Sequence, residues 1–308
     1  MRVVTQDAFG GPEKLYVAER PVPEPGAGEM LVRVAAAGIN PVDLAVRAGA
    51  FPLIGDPPFV LGWDIAGTVE KTGPGVTDFS PGTRVMGLSR FPEQAGAYGE
   101  YACVSTGEFV RTPENMSDID AAGLPLAGLT AWQAFFDEAD LKVNDRVLVH
   151  AGAGGVGHLA IQIAKAFGAH VTTTVSAAKT DYVRSIGADE VIDYRAADFT
   201  EIAGDMDIVL ETVAGEQLSN SLKTVKPGGI VVALRTAGEE AERMAAEISV
   251  RLRSILVHPD AAALQKLAAL VAEREIKVHV ARTFPMEQAG EAHRFLETAP
   301  IGKVVLAN

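Results

Sequence analysis

Residues 146–175 read RVLVHAGAGGVGHLAIQIAKAFGAHVTTTV. The run RVLVHA (146–151) is typical of a buried strand, the apolar spacing after it indicates a helix, and HVTTTV (170–175) is typical of a second strand. A G-x-G-x-x-G turn joins the first strand to the helix, where the backbone can approach a pyrophosphate closely and present free helix amides to it. Glycine-rich turns also end strands in proteins that bind no nucleotide. This strand–turn–helix context nevertheless favours a dinucleotide site formed by Gly152, Gly154, Gly155, Val156 and Gly157.

The second strand predicts which dinucleotide is bound. Sites specific for NAD usually carry an Asp or Glu at the end of this strand, where it binds the ribose hydroxyls. Here the strand ends in Thr174 and Val175, and the first acid after it is Asp181. Ser176 and Lys179 offer a hydroxyl and an ammonium group that suit the 2′-phosphate of NADPH, although such residues after a strand can also simply face solvent. Because the acid is absent, we predict NADPH.

The rest of the chain divides into two regions with different patterns of predicted secondary structure. Strand-like runs alternate with helical stretches beyond the glycine-rich turn, at 190–194, 206–213 and 228–234, which predicts a parallel, doubly wound sheet. The first 120 residues instead combine short β-like runs with Gly- and Pro-rich turns, which favours a barrel-like unit. The C-terminal segment returns to a pattern similar to that of these first residues. We therefore predict an α/β protein whose first domain comprises residues 1–120 and 260–308 and whose second comprises residues 121–259.

Three helices have clear local signals. Residues 41–49 predict a short helix that begins at Pro41, and residues 124–139 predict a longer one. A third follows Asp260, which is a plausible N-cap because apolar residues recur after it at spacings of three and four.

Composition limits the class of protein. The formal net charge of −13 disfavours nucleic-acid binding. The single cysteine, Cys103, excludes an internal disulfide and a thiolate-rich zinc site, and we expect it to be a core residue rather than a nucleophile. The N-terminus turns polar too early for a secretory signal, and no run approaches the roughly 18 apolar residues of a membrane span. These features predict a soluble, cytoplasmic protein.

Several longer segments carry a family resemblance. The segments AAAGINPVDLAVRAG, GDPPFVLGWDIAGTVE, LPLAGLTAWQAF, VHAGAGGVGHLAIQIAKAFGA and FPMEQAGEAHRFLE…GKVVL together resemble the medium-chain dehydrogenase/reductases over nearly the whole chain. The resemblance implies a GroES-like partial β-barrel built from both chain ends, with a Rossmann doubly wound parallel-sheet domain between them.

The resemblance also locates the positions that bind zinc in the zinc-dependent members of this family. A cysteine, a Gly-His-Glu element and a second cysteine are replaced here by Asn40, by Gly62-Trp63-Asp64 and by a residue near Leu126. Since asparagine, tryptophan and leucine side chains do not form a tetrahedral zinc site, we predict an enzyme without zinc.

The chain is most similar to the zinc-independent quinone oxidoreductase (zeta-crystallin-like) group. This resemblance implies that Asn40 and Asp43, in Gly38-Ile39-Asn40-Pro41-Val42-Asp43, are catalytic residues near the nicotinamide, and that Thr130 also approaches it. Asn40 is equally suited to cap the helix that begins at Pro41, and the two roles are compatible. An alternative for Thr130 is a hydroxyl bonded within a helix. Tyr194 matches a residue beside the 2′-phosphate, although alone it would be a packing residue at a strand end.

These observations predict an NADPH-dependent reductase of quinones or α,β-unsaturated carbonyl compounds, whose partner is a small molecule rather than a nucleic acid or a membrane. Two alternatives stay open: an enoyl or enone reductase for a specialised biosynthetic substrate, and a non-catalytic, redox-sensing protein that binds NADPH. None of the six histidines lies at an informative spacing from an acid, so none is assigned a catalytic role. A homodimer is expected from the resemblance, joined at the strand near residues 248–257.

Overall fold

The computed structural model describes residues 1–51, 53–213 and 215–308. The chain forms two compact units. The first unit contains residues 1–129, 258–274 and 278–308, and the second contains residues 130–257 and 275–277.

Strands occur in both units. In chain order the described strands are β1 (Arg2–Gln6), β2 (Tyr16–Glu19), β3 (Glu29–Ile39), β4 (Phe59–Val60), β5 (Asp64–Thr72), β6 (Arg84–Leu88), β7 (Tyr101–Ser105), β8 (Phe109–Arg111), β9 (Arg146–Val149), β10 (His170–Val175), β11 (Glu190–Asp193), β12 (Met206–Glu211), β13 (Val225–Ala233), β14 (Arg251–Ser254), β15 (Val280–Pro285) and β16 (Lys303–Ala307).

The α-helices lie between these strands. In chain order they are α1 (Pro41–Ala48), α2 (Asp118–Gly123), α3 (Pro125–Trp132), α4 (Gly157–Ala166), α5 (Thr180–Ser185), α6 (Glu216–Leu222), α7 (Glu239–Glu247), α8 (Ala261–Ala272) and α9 (Ala289–Glu297).

The first unit is built around the long strand β3. This strand pairs in antiparallel fashion with β16, β5 and β7, within a sheet ordered β15-β16-β3-β5-β6-β8. Strands β2, β1 and β4 form a separate small sheet. Most of β3 is buried, as expected of a strand rich in Val and Ala that has neighbours on both sides. Since β16 comes from the end of the chain, this unit draws on both chain termini.

The second unit contains the predicted doubly wound sheet, which is confirmed. Its six strands are all parallel and run in the order β11-β10-β9-β12-β13-β14. From β9 the chain proceeds to β10 and then β11 on one side of the sheet. It then crosses to the other side of β9, where β12, β13 and β14 follow in order. The strand order therefore reverses between β9 and β12, where ligands of such sheets bind at the carboxyl ends of the strands.

The local predictions mostly agree with the structure. Helix α1 begins at Pro41, and the Asp260 carboxylate accepts a hydrogen bond from the Ala263 amide at 3.0 Å as the N-cap of α8. The helix predicted at 124–139 is not one regular helix, because α3 ends at Trp132 and a π-helical segment, Gln133–Glu138, follows it. The rings of Trp132 and Phe136 pack 4.3 Å apart across this change. No helix within the described part of the chain is long and apolar enough to cross a membrane.

Candidate active site

The glycine-rich turn lies between β9 and α4 in the second unit. A Cβ atom on Gly152 would lie 2.0 Å from Thr173 Oγ1, and one on Gly157 would lie 2.4 Å from the Ala151 carbonyl oxygen. A Cβ on Gly154 would meet only that same oxygen, at 3.2 Å. Gly152 and Gly157 are therefore required for packing of the turn, whereas Gly154 leaves space beside the backbone.

The same turn leaves backbone donors for an anion. The Gly154 amide donates to the Ala151 carbonyl, but no described residue accepts from the amides of Gly155 and Val156. These amides precede the ten-residue helix α4, at the end where the helix dipole is positive. A phosphate is the kind of group that this arrangement can hold.

The carboxyl end of β10 brings together residues that sequence analysis assigned to the 2′-phosphate. Ser176 follows β10 directly and is half-buried, and Lys179 lies three residues later. The Tyr194 amide donates to the Val175 carbonyl at 3.2 Å, so Tyr194, which directly follows β11, lies beside the end of β10. Tyr194 is 52% exposed.

Arg195 is a cation at this position that sequence analysis did not identify. Its guanidinium carbon lies 5.5 Å from the centroid of the Tyr194 ring. The Arg195 amide donates to the Asp193 carboxylate at 3.1 Å, which anchors the turn after β11. A Tyr-Arg pair directly after a strand of the sheet was the available signal, but it becomes informative only once β11 is known to lie beside β10.

A buried polar network lies directly before the glycine-rich turn. His150 follows β9 and is 0% exposed. Its Nε2 is 3.0 Å from Ser221 Oγ, and its Nδ1 is 3.0 Å from Thr174 Oγ1. Ser221 Oγ–H has two acceptors within reach, the Glu211 carboxylate at 2.5 Å and the Gln217 carbonyl oxygen at 2.9 Å. With its single proton donated to either of them, the Ser221 oxygen accepts from His150 Nε2–H.

The network joins the carboxyl ends of β10, β9 and β12. The Gln217 side chain donates to His150 Nδ1 at 3.0 Å, and the Val213 amide donates to Glu211 at 2.7 Å. Burial lowers the pKa of His150, and the Glu211 carboxylate opposes that change. No sequence spacing links His150 to an acid, and it is the fold that brings the Glu211 carboxylate within 3.7 Å of its Nε2.

A second buried cluster, Asn40, Asp64 and Lys303, lies in the first unit. These residues follow β3, begin β5 and begin β16, and the three strands are neighbours in the sheet. Asn40 Nδ2 donates to Asp64 Oδ2 at 2.9 Å. Lys303 Nζ donates to Asn40 Oδ1 at 2.5 Å and lies 3.4 Å from Asp64 Oδ2. Lys303 is only 2% exposed, and sequence analysis assigned it no role.

Asp43 lies beside this cluster. Its Oδ2 accepts a hydrogen bond from the backbone amide of Asn40 at 2.7 Å. Asn40 occupies the N-cap position of α1. The Oδ1 atom of Asp43 is buried and has no hydrogen-bond partner among the described residues. Burial, more than any other cause, raises the pKa of Asp43 to about 8. Burial also raises the pKa of Asp64, and the Lys303 ammonium group opposes that rise.

The positions that correspond to zinc ligands are occupied by groups with other contacts. The Trp63 indole is 1% exposed and donates to the Glu93 carbonyl at 2.6 Å. The Leu126 amide donates to Asp64 Oδ1 at 2.7 Å. Across the described residues, no group of three or more His, Cys, Asp or Glu side chains could hold a metal ion.

Two further residues complete the set singled out by sequence. Thr130 lies in α3 and is 5% exposed, so it is largely buried in the helix. Cys103 lies on β7 and is half-buried, and burial raises the pKa of its thiol, which makes it a poor nucleophile at neutral pH.

Both parts of the chain match known families. Residues 26–114 match the alcohol dehydrogenase GroES-like domain, in agreement with the partial barrel expected for the first unit. Residues 186–306 match the family described as zinc-binding dehydrogenase.

Curated relatives match over nearly the full chain. The chain is 32% identical to a 2-haloacrylate reductase from a Burkholderia species, with 96% of both chains covered. It is 31% identical to the quinone oxidoreductase of Rattus norvegicus, covering 99% of this chain and 97% of that one. It is also 35% identical to a segment of a polyketide synthase from Streptomyces halstedii, with 91% of this chain matched to 5% of that protein.

Solved structures show the same architecture. A quinone oxidoreductase from Coxiella burnetii has a TM-score of 0.95 and 35% identity, covering 100% of this chain and 99% of that one. The Escherichia coli quinone oxidoreductase complexed with NADPH has a TM-score of 0.92 and 29% identity, with 100% of both chains covered. An NAD-dependent alcohol dehydrogenase has a TM-score of 0.90 and 32% identity, again with full coverage of both chains.

Proposed function

Because this chain belongs to the medium-chain dehydrogenase/reductase family, in its quinone oxidoreductase group, we propose that it is an NADPH-dependent, zinc-independent reductase of quinones or α,β-unsaturated carbonyl compounds. The single observation that carries the proposal is the end of β10, where Ser176 and Lys179 follow a strand that lacks a terminal carboxylate and Tyr194 lies beside them after β11.

Cofactor binding is assigned to the second unit. We propose that the amides of the glycine-rich turn, Gly152 and Gly154 to Gly157, hold the pyrophosphate, and that Thr130 contributes to the nicotinamide end. Ser176, Lys179 and Tyr194, together with Arg195, would hold the 2′-phosphate through charge-assisted hydrogen bonds. The space beside Gly154 and the unpaired amides of Gly155 and Val156 support this assignment.

The cluster of Asn40, Asp64 and Lys303 in the first unit supports the proposed reaction class. When bound, NADPH supplies a hydride to an electron-poor carbon of the acceptor, whose displaced π electrons move to its carbonyl oxygen. We propose that the Asn40 amide donates a hydrogen bond to that oxygen, with Asp43 holding the Asn40 backbone in place. Solvent can protonate the resulting enolate or quinolate.

The same cluster supports a reaction without zinc. The ammonium group of Lys303 already lies beside Asn40 and Asp64, where it repels a divalent cation. Dialysis against a chelator should therefore leave turnover unchanged. One equivalent of tightly bound zinc, together with loss of activity on its removal, would contradict this part of the proposal.

A second candidate is an enoyl reductase whose substrate is attached to a carrier. The observation that favours it is the similarity to a polyketide synthase segment, at an identity at least as high as that to the quinone oxidoreductase. Such a substrate is an α,β-unsaturated thioester, so the chemistry is shared and only the recognition of the acceptor differs.

The testing experiment is the oxidation of NADPH, followed at 340 nm, against a panel of acceptors. The panel contains a benzoquinone, a naphthoquinone, an alkenal, 2-chloroacrylate, a crotonyl thioester of pantetheine and a saturated aldehyde, and NADH is run in parallel. Turnover of a quinone or alkenal with NADPH preferred, and none of the saturated aldehyde, is expected. Preference for the thioester would favour the second candidate.

Two results would overturn the proposal. Oxidation of alcohols with NAD, or reduction of the saturated aldehyde as the best acceptor, would indicate an alcohol dehydrogenase instead. Tight NADPH binding without turnover of any acceptor would favour the non-catalytic, redox-sensing alternative.

We also propose that the protein is a homodimer joined along β14. This four-residue strand is an edge of the six-stranded sheet, and an uncovered edge is a ready template for pairing with another strand. Light scattering of the purified protein should give twice the 32.3 kDa of one chain. A single-chain mass over the working concentration range would exclude this assembly.

A further inference from the structure

Lys303 is a buried cation whose ammonium group contacts two buried polar side chains. It begins β16, its side chain is 2% exposed, and its Nζ is directed to Asn40 Oδ1 and Asp64 Oδ2. A buried lysine is costly unless it is paired, and here the carboxylate of Asp64, which is 0% exposed, supplies the opposite charge. Apolar side chains of similar volume in place of a buried ion pair often leave the free energy of unfolding unchanged or higher, so stability alone does not explain this pair.

The two charges determine how the Asn40 amide is turned. Its oxygen accepts from the ammonium group of Lys303, and its nitrogen donates to the carboxylate of Asp64. Rotation of the amide by 180° would place the NH₂ group against the ammonium and the oxygen against the carboxylate. Both contacts would be repulsive, so the observed orientation is the only favourable one.

The contact between Lys303 Nζ and Asn40 Oδ1 also strengthens the side-chain amide of Asn40 as a hydrogen-bond donor. Asn40 Nδ2 carries two hydrogens, and Asp64 is the single acceptor among the described residues. A cation bonded to the amide oxygen draws electron density from the nitrogen, which strengthens the remaining N–H as a donor, and this polarisation is larger in a buried site than in water.

We propose that Lys303 is a positioning residue that orients and polarises the Asn40 amide, so that the free N–H of Asn40 stabilises the oxygen on which negative charge develops in the acceptor. This inference rests on the proposed function. In the step concerned, a C–H bond forms at the electron-poor carbon and its π bond breaks. The electron pair moves to the carbonyl oxygen, NADPH is oxidised to NADP⁺, and the acceptor takes its proton from solvent.

The role predicts a dependence on the acceptor. An alkenal concentrates the new charge on one oxygen, whereas a quinone spreads it over an aromatic ring and needs less stabilisation. Removal of the Lys303 charge should therefore reduce kcat more for an alkenal than for a quinone. A lysine that only stabilises the fold would affect both acceptors equally.

The first experiment measures kcat and KM for Lys303→Met, Lys303→Arg and Asn40→Ala, and for Lys303→Met combined with Asn40→Ala. Loss of a transition-state donor costs about 10²- to 10³-fold in kcat, and we expect Lys303→Met to lose on the order of 10- to 100-fold with the alkenal. Lys303→Arg should restore part of that loss. In the Asn40→Ala background, Lys303→Met should have little further effect, because residues that act through one group are not additive.

Two further variants separate chemistry from folding. Lys303→Met combined with Asp64→Asn removes both buried charges, and so remains testable if Lys303→Met alone does not fold. Lys71→Met serves as the matched control, because Lys71 lies on β5 in the same unit and its ion pair with Glu24 is exposed. Additive losses for Lys303→Met and Asn40→Ala, or equal losses with the alkenal and the quinone, would overturn the proposal.

A second readout needs no cofactor and no turnover. The chain contains five asparagines, so ¹⁵N-asparagine labelling gives few side-chain signals, and the Asn40→Ala variant identifies those of Asn40. Lys303→Met should move the Asn40 signals and speed their exchange with solvent, whereas Lys71→Met should not. Unchanged Asn40 signals in Lys303→Met would exclude the orienting role. If the wild type turns over no acceptor, the proposed function fails, and these signals still decide whether Lys303 orients Asn40.

Discussion

Gly38 lies so close to Asp64 that a Cβ atom on this glycine would come within 2.7 Å of the Asp64 Oδ2 atom. The same Cβ would lie 2.3 Å from the Ala122 carbonyl oxygen. Gly38 and Asp64 face each other in the register of β3 and β5, so the absence of a side chain at position 38 leaves the space that the buried carboxylate occupies.

Gly38→Ala should therefore destabilise the first unit and displace Asp64. Overpacking of this kind costs about 1–3 kcal/mol, which denaturant unfolding would detect. Gly107→Ala is the matched control, because a Cβ there would meet only Ser105 Oγ, at 3.8 Å. Equal stability of the two variants would show that the Asp64 site relaxes without cost.

Arg195→Ala should weaken binding of NADPH but not of NADH. The guanidinium group is held beside Tyr194 at the end of β11, where it can pair with a 2′-phosphate that NADH lacks. Hydrogen bonds to charged groups contribute about 1.5–3 kcal/mol, so the Kd for NADPH should rise on the order of 10- to 100-fold. Fluorescence titration would measure both dinucleotides. Arg184→Ala, an exposed arginine of α5, is the control, and an equal loss for both dinucleotides in Arg195→Ala would contradict the assignment.

Asp43→Asn should change how stability depends on pH. Burial raises the pKa of Asp43 from 3.8 to about 8, so between these values the folded state retains a proton that the unfolded state has released. The contribution of Asp43 to stability is therefore complete below pH 3.8 and falls as the pH rises toward 8, by at most about 1.4 kcal/mol per pH unit. An asparagine side chain does not titrate, so the variant should gain stability relative to wild type as the pH rises.

The measurement is the free energy of unfolding of both proteins between pH 5 and pH 9, with the exposed Asp56→Asn as the control. A constant difference between wild type and Asp43→Asn across this range would show that Asp43 is ionised in the folded protein.

Ser221→Ala should destabilise the second unit. Its hydroxyl joins His150 to Glu211, and without it both buried groups lose a partner. An unsatisfied buried polar group costs about 1–3 kcal/mol, so the free energy of unfolding should fall by that amount and NADPH should bind more weakly. Ser219→Ala on the same helix is the control, because Ser219 is only half-buried. Wild-type stability of Ser221→Ala would indicate that a water molecule replaces the hydroxyl.

The sequence by itself determined the features that depend on local chain order. The G-x-G-x-x-G turn requires only that a strand, three glycines and a helix follow one another, and the structure has them in that order. The parallel sheet followed from alternating strands and helices, and the Asp260 cap from a residue type at a helix start. The π-helical segment that follows α3 was not predicted, because helical spacing in the sequence does not distinguish such a segment from a regular α-helix.

Only the tertiary structure decided which distant side chains meet. Asn40, Asp64 and Lys303 come from the end of one strand and the starts of two others, and they meet because β16 returns from the end of the chain to pair with β3. His150 and Glu211 meet because β12 lies beside β9, although the two residues are far apart in sequence. Buried charges of this kind leave no periodic signal, since what makes them tolerable is a partner that only sheet topology can place.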